Sequence, residues 1–152
     1  MADIVITEFM AESSVVALSA DFDVRYAPEL VDDRSTLLAA VADARAVVVR
    51  NRTLVDDELL AAAPRLQVVA RLGVGLDNID LAACDAAGVK VRPATGANAD
   101  AVAEYVAAAG MLLSRGVFSS SSRLLGGEWP REELTGREVG GRRLGLVGFG
   151  DI

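Results

Sequence analysis

The chain contains no histidine. Without imidazole it lacks the commonest general acid or base near neutral pH and the commonest metal ligand. No metal-ligand spacing and no Ser/His/Asp or Cys/His pair can be found, so no metal is expected. One cysteine, Cys84, excludes an internal disulfide and fits a reducing compartment, where it reads as a small apolar helix residue. Cationic residues are in the minority. Fifteen lysines and arginines against 22 acidic residues leave a net charge of -7, which disfavours a nucleic-acid partner or an anionic membrane surface. Any anionic ligand must then be met by a local cationic spot. No stretch approaches the roughly 18 uninterrupted apolar residues of a membrane span, and residues 1–7 show no basic segment leading into an apolar one. No membrane partner and a cytoplasmic location are expected.

What is present is an alternation of short β-branched runs with alanine- and leucine-rich segments of helical period. That is the pattern of an α/β fold, in which parallel strands are covered by helices. Strands are predicted at residues 4–7, 23–26, 46–50, 68–71 and 89–92, and helices at 12–19, 35–42, 56–63 and 80–87. The runs Val47-Val48-Val49 and Val68-Val69 read as strands buried on both faces, as a parallel sheet requires. Gly88 is placed to end a helix in the left-handed conformation. Beyond Pro93 the pattern changes to a long apolar helix at residues 98–114, with Asp100 and Glu104 placed early, where the helix dipole favours negative charge. Ser119 to Ser122 read as a helix start or surface loop, Trp129 as a packing anchor beside a turn, and residues 144–148 as a final strand. At 152 residues, one domain and one domain plus part of another fit equally well, and the change of pattern places a boundary near residues 93–97.

In open α/β sheets ligands bind beyond the carboxyl ends of the strands, so the residues after each apolar run are the first place to look. Arg50-Asn51-Arg52-Thr53 follows one such run. Two guanidiniums, an amide and a hydroxyl could hold a carboxylate, phosphate or sulfonate, at about 1.5–3 kcal/mol per charged hydrogen bond. Equally, Arg52 is a solvated charge and Arg50 pairs with Asp56 or Asp57. The second place is Arg71-Leu72-Gly73-Val74-Gly75-Leu76-Asp77-Asn78-Ile79-Asp80. Gly73 and Gly75 would permit a tight turn and offer bare N–H groups to an anion, while Asp77, Asn78 or Asp80 caps the next helix. A plain strand-to-helix turn would look similar. A third segment, Thr95 to Glu104, opens the long helix, where Asn98 or Asp100 faces a ligand or simply caps. Finally, the apolar run from Leu144 leads into Gly148-Phe149-Gly150-Asp151-Ile152, the first five positions of G-x-G-x-x-G; the sixth would be residue 153.

These segments, in this order and at these intervals, resemble the D-isomer-specific 2-hydroxyacid dehydrogenases, the family of phosphoglycerate dehydrogenase. The two-arginine version of the first loop resembles the sulfolactate dehydrogenase branch. The resemblance covers essentially the whole chain. It implies a flavodoxin-like parallel-sheet substrate domain over residues 1–97, then the truncated start of a Rossmann domain over 98–152, with the active site in the cleft between them. It further implies NAD as cofactor, with NADP not excluded, a small anionic 2-hydroxy or 2-keto acid as substrate, and a homodimer built partly on the apolar stretch 102–113. Arg50, Asn51, Arg52, Gly73, Val74 and Gly75 would bind substrate. Val74 and Asn98 would lie by the cofactor, and Gly148, Gly150, Asp151 and Ile152 by its pyrophosphate. The family's catalytic histidine, its partner glutamate and the second-domain arginine would lie beyond residue 152, so this stretch alone is expected to be inactive. A non-catalytic small-anion-binding module is the alternative.

Overall fold

A computed structural model describes residues 2–148 and 150. The strands β1 (Ile4–Ile6), β2 (Val24–Tyr26), β3 (Ala46–Val49), β4 (Val68–Arg71) and β5 (Lys90–Pro93) form one sheet in the spatial order β2-β1-β3-β4-β5. Every pairing is parallel. Strand side chains alternate between faces, and both faces are apolar here. Val5, Val47, Val49 and Val69 pack with Leu37 and Val41 of α2 (Arg34–Val41), Leu59 of α3 (Asp57–Ala62) and Cys84 of α4 (Leu81–Ala86). Ile4, Ile6 and Val48 take the other face, against Val15 and Leu18 of α1 (Glu12–Ser19). Each such side chain, fully buried, contributes about 1.5–3 kcal/mol. Burial on both sides is what the unbroken β-branched runs required.

The helices α3 and α4 start one residue later than the apolar pattern alone suggests, and α2 one residue earlier, each directly after an aspartate that takes the position before the first turn. Asp33, Asp56 and Asp80 accept from the N–H groups of Thr36, Leu59 and Ala83 at 3.1, 3.0 and 2.9 Å. Each satisfies an otherwise orphaned helix donor. Asp33 also takes the hydroxyls of Thr36 and Ser35, and these bonds hold its pKa down to about 2. Gly88 ends α4 at φ +70°, the left-handed geometry anticipated for it. A 3-10 turn at Pro28–Asp32 was not foreseen.

The chain divides into two compact units, Met1–Thr95 and Gly96–Ile152. In the second, α5 (Ala99–Arg115) ends at Gly116, φ +68°, and α6 (Ser121–Leu125) follows. Two expectations fail here. Residues 144–148 form no strand, and Leu144, Leu146 and Val147 are exposed. A strand exists only by pairing, and no described residue offers this segment a ladder. Trp129 is 78% exposed rather than packed, because no described apolar surface covers it. Among the described residues no single helix is long and apolar enough to cross a membrane; one bent pair, Ala99–Arg115 with Val117–Leu125, meets that test by length and composition only.

Candidate functional site

Strand order decides where a site can form. In β2-β1-β3-β4-β5 the chain leaves β1 toward one edge and returns to β3 on its other side, opening a crevice at the carboxyl ends of β1 and β3. The residues that emerge there are Thr7 and Glu8 from β1 and Arg50 to Thr53 from β3. Next door, Val49 of β3 is in register with Arg71 of β4, and the Leu72 N–H donates to the Val49 carbonyl at 2.9 Å. Both suspected loops therefore leave adjacent strands at the same edge of the sheet.

The first loop is wrapped around a carboxylate. Glu8 is only 5% exposed, and it accepts from the backbone N–H groups of Arg50 (2.8 Å), Asn51 (3.2 Å), Arg52 (3.1 and 3.2 Å) and Thr53 (3.0 Å). Burial alone would push its pKa up. The N–H groups of Thr53, Arg50 and Asn51 and the Thr53 hydroxyl outweigh burial and hold the carboxyl below its ordinary range. Glu8 is thus a buried anion whose charge is spent on a nest of amides. The Thr53 and Thr7 hydroxyls share a hydrogen bond at 2.8 Å, and both side chains are buried, so Thr53 is not free to meet a ligand.

The guanidiniums of this loop differ. Asp56 is taken by Arg34, which also bonds Glu58 and the Leu54 carbonyl, so it does not pair with Arg50. Arg50 is exposed and, among the described residues, its guanidinium has no ion-pair or hydrogen-bond partner. Arg52 instead reaches Asp32 in a pair more than half exposed on both sides, which stabilises little. Asn51 is exposed and contributes its N–H to Glu8.

The second loop is glycine-dependent. Gly73 sits at φ +145°, where an L side chain is strained, and its N–H donates to the Arg71 carbonyl at 2.9 Å. The Arg71 guanidinium lies against it: a Cβ on Gly73 would fall 1.6 Å from Arg71 Nη1. Arg71 Nε is buried without a partner among the described residues. Val74 is 39% exposed at the loop tip. Asn78 ties the two loops together. Its Nδ2 donates to the Thr53 carbonyl at 2.7 Å, and its carbonyl accepts from Val55 N at 2.9 Å.

In the second unit, Asn98 stands at the N-terminal end of α5 with no side-chain capping bond, so capping does not account for its amide. Gly148 takes φ +91°, and a Cβ on Gly148 or Gly150 would meet open space. Bare backbone of this kind suits the close approach of a phosphate. Asp151 and Ile152 lie outside the described residues. Among the described residues no group of three or more His, Cys, Asp or Glu could hold a metal.

Comparison with known proteins gives this geometry its context. Residues 4–135 match the sequence model of the D-isomer specific 2-hydroxyacid dehydrogenase catalytic domain. The chain belongs to that family. A (S)-sulfolactate dehydrogenase of Chromohalobacter salexigens is 53% identical over 152 residues, 100% of this chain and 49% of that protein. A D-3-phosphoglycerate dehydrogenase of Mycobacterium leprae is 42% identical over 151 residues, 98% of this chain and 28% of that protein. Among solved structures, the NAD+-bound 3-phosphoglycerate dehydrogenase of Entamoeba histolytica superposes with a TM-score of 0.59 at 26% identity, covering 76% of this chain and 40% of that one. The chain thus spans half or less of the length of these 2-hydroxyacid dehydrogenases. Within this family member, Glu8 escaped the motif-based reading, Asn78 ties the two loops where a helix cap was one reading and Asp80 caps instead, and the Arg71 guanidinium lies against Gly73, a role the motif did not give it. The available signal for Glu8 was an acidic residue directly after a buried strand at the ligand edge.

Proposed function

We propose that this chain supplies the substrate-binding part of a NAD-dependent oxidoreductase acting on the CH–OH group of a small anionic 2-hydroxy acid, phosphoglycerate-like or sulfolactate-like. One juxtaposition carries the reading. An exposed Arg50, without an ion-pair partner among the described residues, and the Gly73–Gly75 loop leave neighbouring strands at the same edge, beside the crevice where the strand order reverses. Arg50 grips the acid's distal anionic group, and the backbone at Val74 and Gly75 receives its carboxylate. Gly73 serves through its conformation, since its N–H is already used. Asn51 and Arg52 flank the same rim, with Arg52 available only by leaving Asp32.

Residues 1–97 form the substrate domain in this reading, and residues 98–152 open the NAD-binding domain. Gly148, Gly150, Asp151 and Ile152 would approach the pyrophosphate, and Asn98 and Val74 the rest of the dinucleotide. When bound, NAD supplies the hydride acceptor or donor. The accompanying proton is carried most often by an imidazole, which this stretch lacks, so in this reading the stretch by itself is inactive and the acid comes from elsewhere in the protein. The whole protein is a cytoplasmic homodimer in this reading, with the apolar stretch 102–113 of α5 at its interface.

The test is NADH formation by the full-length protein with (S)-sulfolactate, D-3-phosphoglycerate and D-lactate. Turnover of an acid carrying a second anionic group, well above that of D-lactate, is expected. No turnover of any 2-hydroxy acid, together with tight saturable binding of one by the 152-residue chain, would favour the non-catalytic anion-binding module.

A further inference from the structure

We propose that Glu8 is a positioning residue for anion recognition: it is a built-in anion that occupies the amide nest of the β3–α3 loop and thereby fixes the backbone from which Arg50 projects. The inference rests on the functional reading above for what Arg50 binds, but its structural half stands alone.

Consecutive N–H groups from Arg50 to Thr53 converge on one point. Such a convergence binds anions from solution when left open. Here it is filled from within, by a carboxylate 5% exposed and carried just beyond β1. Two consequences follow. An incoming acid is denied the main chain of this loop and must be read through the Arg50 side chain, which has no partner among the described residues. Also, the stem of Arg50 is held at its own N–H by the shortest of these bonds, 2.8 Å, so the guanidinium departs from a fixed point. The frame extends sideways. Thr53 is bonded to Thr7 at 2.8 Å and to Asn78 at 2.7 Å, which registers the Arg50 loop against the glycine loop. A substrate held at both ends needs that spacing preserved, because misplacing one grip costs affinity for the acid without touching the dinucleotide. Because the Glu8 charge is neutralised by several dipoles and buried, it does not compete with the substrate for Arg50.

The experiment compares full-length wild type, Glu8→Gln and Val41→Ala. Val41 is fully buried in α2, away from the loop, and serves as a destabilised control. Amide exchange and steady-state kinetics are measured on each, with (S)-sulfolactate or D-3-phosphoglycerate, whichever the wild type oxidises. In Glu8→Gln, exchange at Arg50 to Thr53 should accelerate at least ~10-fold. The KM of the acid should rise about 10-fold while kcat and the KM of NAD+ move less than about threefold. Val41→Ala should lose thermal stability with the acid's KM unchanged. Unaltered exchange in Glu8→Gln, or faster exchange with an unaltered KM, overturns the proposal. So does a KM rise of equal size in Val41→Ala. A wild type inactive on every 2-hydroxy acid would instead defeat the dehydrogenase reading, leaving the exchange comparison to decide whether Glu8 anchors the loop.

Discussion

Gly73→Ala should damage this protein far more than Gly75→Ala, although the two glycines are two residues apart in one loop. At φ +145° Gly73 occupies a region where an alanine is strained by about 1–3 kcal/mol. Alanine recovers about 0.4–1 kcal/mol by stiffening the unfolded chain. The added Cβ would lie 1.6 Å from Arg71 Nη1 and 2.8 Å from Cζ, so the guanidinium must swing away. It is the end of a flexible side chain, and an off-rotamer displacement costs about 0.5–1.5 kcal/mol. Together these give a net loss of about 0.5–4 kcal/mol. Gly75 does not have positive φ, and its Cβ would meet Asp77 Oδ2 at 3.3 Å, a movable atom, and Arg71 Nη2 at an ordinary 3.7 Å. Its substitution should stay within about 1 kcal/mol of wild type. Urea unfolding followed by far-UV circular dichroism compares the two directly. Equal destabilisation, or a neutral Gly73→Ala, would refute the loop geometry and with it the placement of Arg71 over the glycine.

Acid should weaken the first unit through its depressed carboxyls. Asp33 is held at about 2 against an ordinary 3.8, and Glu8 is also lowered, so their contribution is complete above the unfolded pKa and is lost as pH falls through the folded one. Melting temperature should therefore be flat above about pH 5 and decline toward pH 2, with Glu8→Gln and Asp33→Asn each showing a shallower decline; identical acid limbs would count against both assignments. Asn78→Ala removes the 2.7 Å bond to the Thr53 carbonyl and should cost about 1 kcal/mol in urea unfolding, with faster amide exchange in both loops. Exchange accelerated in only one loop would mean the loops are not coupled through Asn78. Arg52→Ala breaks only an exposed pair and should change stability by less than about 1 kcal/mol; a larger loss would show that Asp32 and Arg52 are structural.

The sheet was legible because parallel strands buried on both faces leave continuous β-branched runs, and all five were anticipated to within one or two residues. Helix starts were blurred by aspartates that cap rather than join the helix, as at Asp56 and Asp80. The loops at the ligand edge were legible as positions, from Arg50 and Gly73, but their internal bonding was not. Nothing in linear order tells that Glu8, 42 residues before Arg50, will fill the nest, since that contact exists only once β1 and β3 pair. A separation of 25 residues likewise hid the Asn78 to Thr53 bond. Residues 144–148 were misread for the opposite reason. Their local pattern is that of a strand, but a strand is a property of the pair.

The measurement that bears most directly on the central claim is the KM of the anionic acid for Arg50→Ala in the full-length protein, alongside that of NAD+. Loss of one charged hydrogen bond, about 1.5–3 kcal/mol, corresponds to a rise of roughly 10- to 150-fold in the acid's KM. The expected result is that rise with the KM of NAD+ unchanged and with unfolding stability preserved, because the guanidinium has no partner to lose among the described residues. An acid KM equal to that of wild type would contradict the assignment of this rim as the place where substrate is held.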